Sequence, residues 1–349
     1  MKKRYLPALD LLILGASIAL APYLASAQKA TPAAAPASCD PAGDLKFVCG
    51  LNNVEDFLPV AGGRWLVGSS YKEGPVGLYL IDTKAKTAKA VALSVAAKPD
   101  PRYPCAAPDL EKLQTHGLDV TPGQGGTATV YAINHGGRES VEVFQLNTAQ
   151  AAAEWVGCVV MPEGVSPNSL AVLPKDGSFV VTKFLDTRDK EAFQHIMAGQ
   201  VNGVVYLWKP GKGYSEVPGT QLSGDNGILV SKDGQWVYVN AWGGHEIYRV
   251  PLSGHGERTS VKVDFCPDNL RWAPDGTILA TGQYVNGQTL NTTHAWSAVR
   301  LDPTTLKVTP LVKEEALSQF ADATTAVQIG KTMWFGTFRG DRVAYRAVP

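Results

Sequence analysis

The feature that most restricts how this chain can fold is a short pattern that occurs six times. A strand runs into a turn at glycine, and a second strand rich in Val, Trp and Tyr follows. The copies lie at 59–70, 119–134, 171–183, 229–242, 271–282 and 327–338. In three of them the turn is Asp176-Gly177, Asp233-Gly234 or Asp275-Gly276. Asp-Gly between β-type runs is a strong hairpin signal, because glycine adopts the positive φ such turns require. A third alternating run follows each copy, and often a fourth, as in 77–82 then 89–93, 140–146 then 153–160, and 246–252 then 260–265. The last copy has only one further run, 342–348, before the chain ends.

Four short strands recurring at roughly 40–60 residues are the period of a propeller blade. The pattern therefore predicts an all-β protein, a six-bladed β-propeller over residues 45–349. The segment Lys46 to Gly50 is expected to complete the sixth blade, which would leave no sheet edge open. Gly 35 and Pro 23 in 349 residues, with few long helical patterns, agree with a turn-rich β fold.

Residues 1–27 read as an export signal. Met1, Lys2, Lys3 and Arg4 carry positive charge, an apolar run spans Leu11 to Leu20, and Ala25, Ser26 and Ala27 suit cleavage after Ala27. The apolar run is short for a membrane span, so no stable membrane insertion is expected after cleavage. Residues 28–44 read as an Ala/Pro-rich linker. The mature protein is expected to be periplasmic or secreted, where disulfides form. Of Cys39, Cys49, Cys105, Cys158 and Cys266, Cys39 is expected to pair with Cys49 or Cys105. Cys158 and Cys266 sit in apolar contexts that suit buried thiols equally well. The odd count leaves one cysteine over within the chain. No C-x-x-C occurs, which argues against structural zinc. A formal net charge of zero with 18% charged residues gives no reason to expect a nucleic-acid partner.

Polar oxygen donors recur just before the strand pairs. They are Glu55 in the first copy, Asn168 in the third, Asn226 in the fourth, and Asp268 with Asn269 in the fifth. Propeller blades place the ends of their inner strands around one axis, so these groups should converge. Two carboxylates and three amides suit a hard, fairly large cation, and the composition points to Ca²⁺ rather than zinc. The second copy offers imidazoles instead. His116 opens one run and His135 closes the next, so an antiparallel hairpin brings both to one end of the sheet.

Several segments make the resemblance specific: 50–57 (GLNNVEDF), 115–118 (THGL), 133–144 (INHGGRESVEVF), 167–172 (PNSLAV), 225–234 (DNGILVSKDG) and 266–270 (CPDNL). With these, the chain resembles the superfamily of paraoxonases, SMP-30 and gluconolactonases, six-bladed calcium-dependent lactonases and esterases. The resemblance spans most of residues 50–285. It implies catalytic calcium ligands at Glu55, Asn168, Asn226, Asp268 and Asn269. It also implies a proton-relay dyad of His116 and His135, and a second, structural calcium at Asp56 and the backbone near Leu118. Three departures stand out. Ser169 replaces an aspartate that paraoxonases carry, no cysteine follows Cys266, and Gly282-Gln283-Tyr284 stand where paraoxonases have a histidine.

The chemistry expected is hydrolysis of a small lactone or aryl ester. His116, oriented or assisted by His135, would take a proton from the attacking water; Asp268 is the other candidate for base or nucleophile. A calcium-dependent lyase or isomerase on the same scaffold, or a non-catalytic exported binding propeller, are the alternative readings. No G-x-S-x-G elbow is present, which speaks against a serine hydrolase. His195 lies in a stretch suited to a short helix or lid, and its apolar neighbours fit a substrate wall and a blade cover equally well. His245, His255 and His294 are expected on surface loops. Trp242 and Tyr284 follow inner strands and are expected near the cavity mouth.

Overall fold

Strands such as Trp236–Ala241 (WVYVNA) carry β-branched and aromatic side chains that fit a pleated, packed surface. The computed structural model describes residues 38–71, 77–285, 292–314, 317 and 319–348. The expected export signal and the linker up to Ala37 lie outside these residues. Six sheets follow one another along the chain and form the blades of a β-propeller.

The inner strands are Phe57–Val60, Thr115–Pro122, Val165–Val172, Asp225–Val230, Cys266–Trp272 and Ala323–Ile329. Each packs on the next, and the last returns to the first, so the ring closes. Strand pairing closes the ring as well: Lys46–Cys49 pairs antiparallel with Arg342–Ala347 and forms the outer strand of the sixth blade. The expectation for Lys46 to Gly50 thus holds. Phe47 and Val48 of this strand point into different packed clusters. Phe47 joins Trp296 and Phe335, and Val48 joins Trp334 and Val343.

The first blade differs from the sequence reading at 89–93. That run divides into Thr87–Ala90, which completes the first blade, and Ala92–Val95, which pairs parallel with Ala152–Val160 of the second. The second blade is therefore five-stranded. Two disulfides form, Cys39–Cys49 beside the closing strand and Cys105–Cys158 on the second blade. Cys158 is thus not a buried thiol; Cys266 is, and burial pushes it up to about 12.

Five of the inner strands carry a register shift near their first residues. It falls between Thr115 and Leu118, Pro167 and Leu170, Asp225 and Ile228, Pro267 and Leu270, and Ala323 and Thr325. An extra residue at such a bulge re-aims the side chains next to it. His116, Asn168, Asn226, Asp268 and Asn269 all lie within these bulges.

The closing strand carries a testable consequence. Val48 is 3% exposed, and an aspartate there would bury an unpaired charge at the point where the ring shuts. Val48→Asp is expected to cost about 3 kcal/mol, read as a lowered midpoint in urea unfolding. An unchanged midpoint would mean that closure by this strand contributes nothing to stability.

Candidate functional site

Two of the bulges contain glycine, where neighbouring inner strands nearly touch. A Cβ at Gly117 would lie 2.4 Å from the Asn168 carbonyl oxygen, and one at Gly227 would lie 2.1 Å from that of Asp268. No other residue fits, which explains the glycines of T-H-G-L and D-N-G-I. The contacts lock each donor residue to the next blade. Asn240 adds to this by donating its amide to the Asp268 carbonyl at 2.6 Å.

The five predicted ligands come together in the structure. Glu55, Asn168, Asn226 and Asp268 line one cavity of about 300 Å³. Asn269 donates its amide to Glu55 Oε1 at 2.6 Å, across more than two hundred residues of chain. Asp268 Oδ2 accepts from Gln283 Nε2 at 2.7 Å, and Gln283 Oε1 in turn accepts from Trp242 Nε1 at 3.3 Å. Each of the five residues keeps one buried oxygen with no hydrogen-bond partner: Glu55 Oε2, Asn168 Oδ1, Asn226 Oδ1, Asp268 Oδ1 and Asn269 Oδ1. Buried oxygens without donors are costly, and five from one cluster have the composition of a hard-cation site. Among the described residues no group of three or more His, Cys, Asp or Glu could hold a metal. The oxygen set here is instead mostly amide, with two carboxylates.

The electrostatics carry the same strain. Burial pushes Glu55 well above the usual carboxylate range, and the charges of Asp268 and Asp56 push it further. Burial likewise pushes Asp268 up to about 7, with the Gln283 hydrogen bond opposing. A cation between two such carboxylates would reverse this penalty.

The imidazoles form a line toward the cluster. His116 Nδ1 and His135 Nε2 are 2.9 Å apart, and His135 Nδ1 lies 2.6 Å from Glu139 Oε2. His116 Nε2 lies 3.7 Å from Glu55 Oε2. Tyr71 stacks on His116 with ring centres 4.1 Å apart and presents its edge to His135. Phe184 and Phe193 pack on Trp242 and with Leu185 form an apolar part of the lining, which also includes Phe338 and Arg339.

The family model described as the SMP-30/gluconolactonase/LRE-like region matches residues 128–304. The chain belongs to this family. The family is generally enzymatic, and its members often use a divalent metal. No curated protein matches the sequence. Among solved structures, a luciferin-regenerating enzyme superposes with a TM-score of 0.55 at 11% identity, covering 86% of this chain and 92% of its own. The PQQ-bound aldose sugar dehydrogenase of Streptomyces coelicolor gives 0.54 at 14% identity, with 87% and 98% covered. A streptogramin B lyase gives 0.50 at 12% identity, with 87% and 97% covered. At such identities these likenesses establish the propeller fold and leave the reaction to the site.

Family membership directs attention to where this chain's residues depart from expectation. Asp56, expected at a second calcium, is engaged by the Arg271 guanidinium. Asp56 Oδ2 also accepts from the Leu118 amide at 2.8 Å, and Arg271 reaches the Leu118 carbonyl at 3.3 Å. The positive charge beside Asp56 and Leu118 is thus an arginine of the chain itself. Tyr284 turns away from the cavity and donates to Asp264 at 3.1 Å. His195 lies on the short helix Ala192–Met197 and faces Asp189 at 2.8 Å; the same helix sends Phe193 to the cavity. His294 lies in the strand Thr292–Leu301 rather than a loop, and bonds Asp322 at 3.1 Å. His245 packs its Nε2 3.6 Å from the Cys266 sulfur, and His255 is exposed.

Sequence reasoning assigned no role to Tyr71, Glu139 or Arg271. For Glu139 a signal existed, a carboxylate four residues after His135 across a Gly-Gly turn. For Arg271 and Tyr71 none did, because both reach the site from other blades.

The Asp56–Arg271 pair tests the packing of the axis. Removing one partner leaves the other charge buried and uncompensated, which costs about 3–5 kcal/mol. Asp56→Asn is expected to lower stability by that order in chemical denaturation. A variant as stable as the parent would show that the pair does not hold the inner strands together.

Proposed function

We propose that this protein is a calcium-dependent hydrolase of lactones or aryl esters. The observation that carries the reading is the set of five buried, unpartnered oxygens on Glu55, Asn168, Asn226, Asp268 and Asn269. Their amide-rich chemistry suits calcium, whose coordination takes six to eight oxygens, so substrate or water would complete the shell. Bound there, Ca²⁺ supplies Lewis acidity to the substrate carbonyl and offsets the charge that develops on its oxygen.

The chain's own residues do the rest. Gln283 orients Asp268, and Asn269 orients Glu55, so the carboxylates are held before substrate arrives. His116 accepts a proton from the attacking water, and His135 supports it from behind. Asp268 is the competing base, but its Oδ2 is bonded to Gln283 and its Oδ1 is among the five oxygens assigned to the cation, which favours His116 for that task. The wall of Phe184, Leu185, Phe193 and Trp242 suits the apolar or aryl part of the substrate and keeps bulk water from it. We further propose that the protein works in the periplasm or outside the cell. Its two disulfides support an oxidising compartment.

A panel of lactones, aryl esters and phosphotriesters, assayed with EDTA and again with added Ca²⁺, tests the reading. Activity is expected to vanish in chelator and to return with calcium; full activity in EDTA would remove the metal from the mechanism. Performing the reaction in ¹⁸O-labelled water separates hydrolysis, which places the label in the product acid, from elimination, which does not.

Two variants divide the roles. Asn226→Ala is expected to weaken Ca²⁺ binding at least about tenfold by calorimetry, since it removes one oxygen from a buried set. His116→Gln is expected to bind calcium as the parent does while kcat falls about 10²-fold or more. Unchanged calcium affinity in the first, or an unchanged rate in the second, would overturn that residue's assignment.

A further inference from the structure

The imidazole line ends on a carboxylate that neither the sequence reading nor the family match assigns a role. We propose that Glu139 is a positioning residue that sets the tautomers of both histidines and so makes His116 Nε2 the proton-accepting nitrogen of the site. The use of that nitrogen in catalysis rests on the hydrolase reading above; the tautomer assignment does not.

The chemistry follows from donor and acceptor counting. An ionised carboxylate only accepts, so at 2.6 Å from Glu139 Oε2 the His135 Nδ1 carries its proton. In a neutral ring the other nitrogen, Nε2, then holds the lone pair. It accepts at 2.9 Å, which requires a proton on His116 Nδ1. His116 Nε2 is left as a lone-pair nitrogen, on the side of the ring that faces Glu55. Glu55, the carboxylate at the other end, lies beyond hydrogen-bond distance at 3.7 Å, whereas Glu139 bonds its ring at 2.6 Å, so the Glu139 bond sets the direction of the line and reversing it would reverse every later one.

The local backbone is built to hold this carboxylate. A Cβ at Gly136 would overlap the Lys112 carbonyl, at 1.6 Å, so only glycine lets the turn lie against residues 112–114. Gly137 has φ +76°, which turns the chain back on itself. Asn134 pins the turn: its Oδ1 accepts from Gln114 and Gly136, each at 3.0 Å, and its Nδ2 donates to the Gly136 and Arg138 carbonyls. Glu139 therefore returns to the ring of His135. The adjacent cations are committed elsewhere, Arg138 to Glu142 and Lys112 to Asp109. The side chains grow more exposed along the line, from 9% at His116 to 16% at His135 and 30% at Glu139.

The proton step balances without any further reactant. Water loses a proton to His116 Nε2 while its oxygen bonds to the carbonyl carbon and the carbonyl π pair moves to oxygen. The His116 Nδ1 proton passes to His135 Nε2. His116 is neutral again, and the positive charge rests on His135 beside the Glu139 carboxylate, toward solvent. This is the role of the buried aspartate in a Ser-His-Asp triad, carried out one imidazole further away.

The test uses the full chain labelled with ¹⁵N-histidine, observed above the titration range of imidazole. His116→Gln and His135→Gln assign the ring signals. Both rings of the parent are expected as the Nδ1–H tautomer. In Glu139→Gln, whose amide can donate as well as accept, and in Glu139→Ala, the Nε2–H form is expected to rise in both rings. On a substrate found by the panel, both variants are expected to lose about tenfold in kcat with KM and calcium affinity held. A proton on His116 Nε2 or a charged His135 in the parent overturns the assignment, as do unchanged tautomers in both variants. Altered tautomers with an unchanged kcat would overturn the catalytic use alone. The spectra need no substrate, so a failed hydrolase reading and a failed tautomer assignment are told apart.

Discussion

The close approach of neighbouring inner strands at their bulged starts is the contact on which the site depends. Gly117 lies against the backbone of Asn168 and Ser169, and Gly227 against that of Asp268 and Asn269. Each bulge turns one or two polar side chains inward and at the same time fits them against the next blade. Displacing one inner strand would displace donors on two blades. The rigidity that a preorganised site requires is therefore supplied by backbone packing rather than by loops.

Concentrating acidic and amide groups on a buried axis has an electrostatic cost, and the protein meets it in two ways. Asp56 is balanced internally by Arg271, which also caps the Leu118 carbonyl. Among the described residues no guanidinium forms an ion pair with Glu55 or Asp268, although the more distant charge of Arg271 still favours the ionised form of Glu55. They are braced by the amides of Asn269 and Gln283, and their remaining oxygens are unpartnered. One carboxylate is thus part of the scaffold, while the other two belong to the cluster proposed above to hold a cation. Their upward-shifted ionisation is the same fact expressed as acidity.

The opposite side of the cavity is built on one hairpin. Pairing of Thr115–Pro122 with Thr127–Asn134 brings His116 beside His135, and the Gly136-Gly137 turn adds Glu139. Tyr71 arrives from the first blade and fixes the His116 ring by stacking. The imidazoles and the oxygen donors therefore come from different blades and meet only at the axis. The apolar wall from the third and fourth blades completes an enclosure suited to a substrate with one polar and one apolar end.

Repetition and local pattern determined the fold from sequence alone. Six strand pairs with glycine turns imply six blades, and the early apolar segment implies the closing strand, because both signals are local and periodic. The oxygen donors were visible as candidates for the same reason: Glu55, Asn168, Asn226 and Asp268 hold one repeated position, and Asn269 follows it. What the sequence could not decide is which charges balance which. Arg271 sits two residues after Asn269 in a strand and looks like any strand arginine until the ring closes and brings Asp56 to it. Cys158 was ambiguous until Cys105 folded over the second blade, and the run at 89–93 could not reveal that its second half crosses to another sheet. Pairings between blades depend on distances across the axis, and those exist only once the ring has closed.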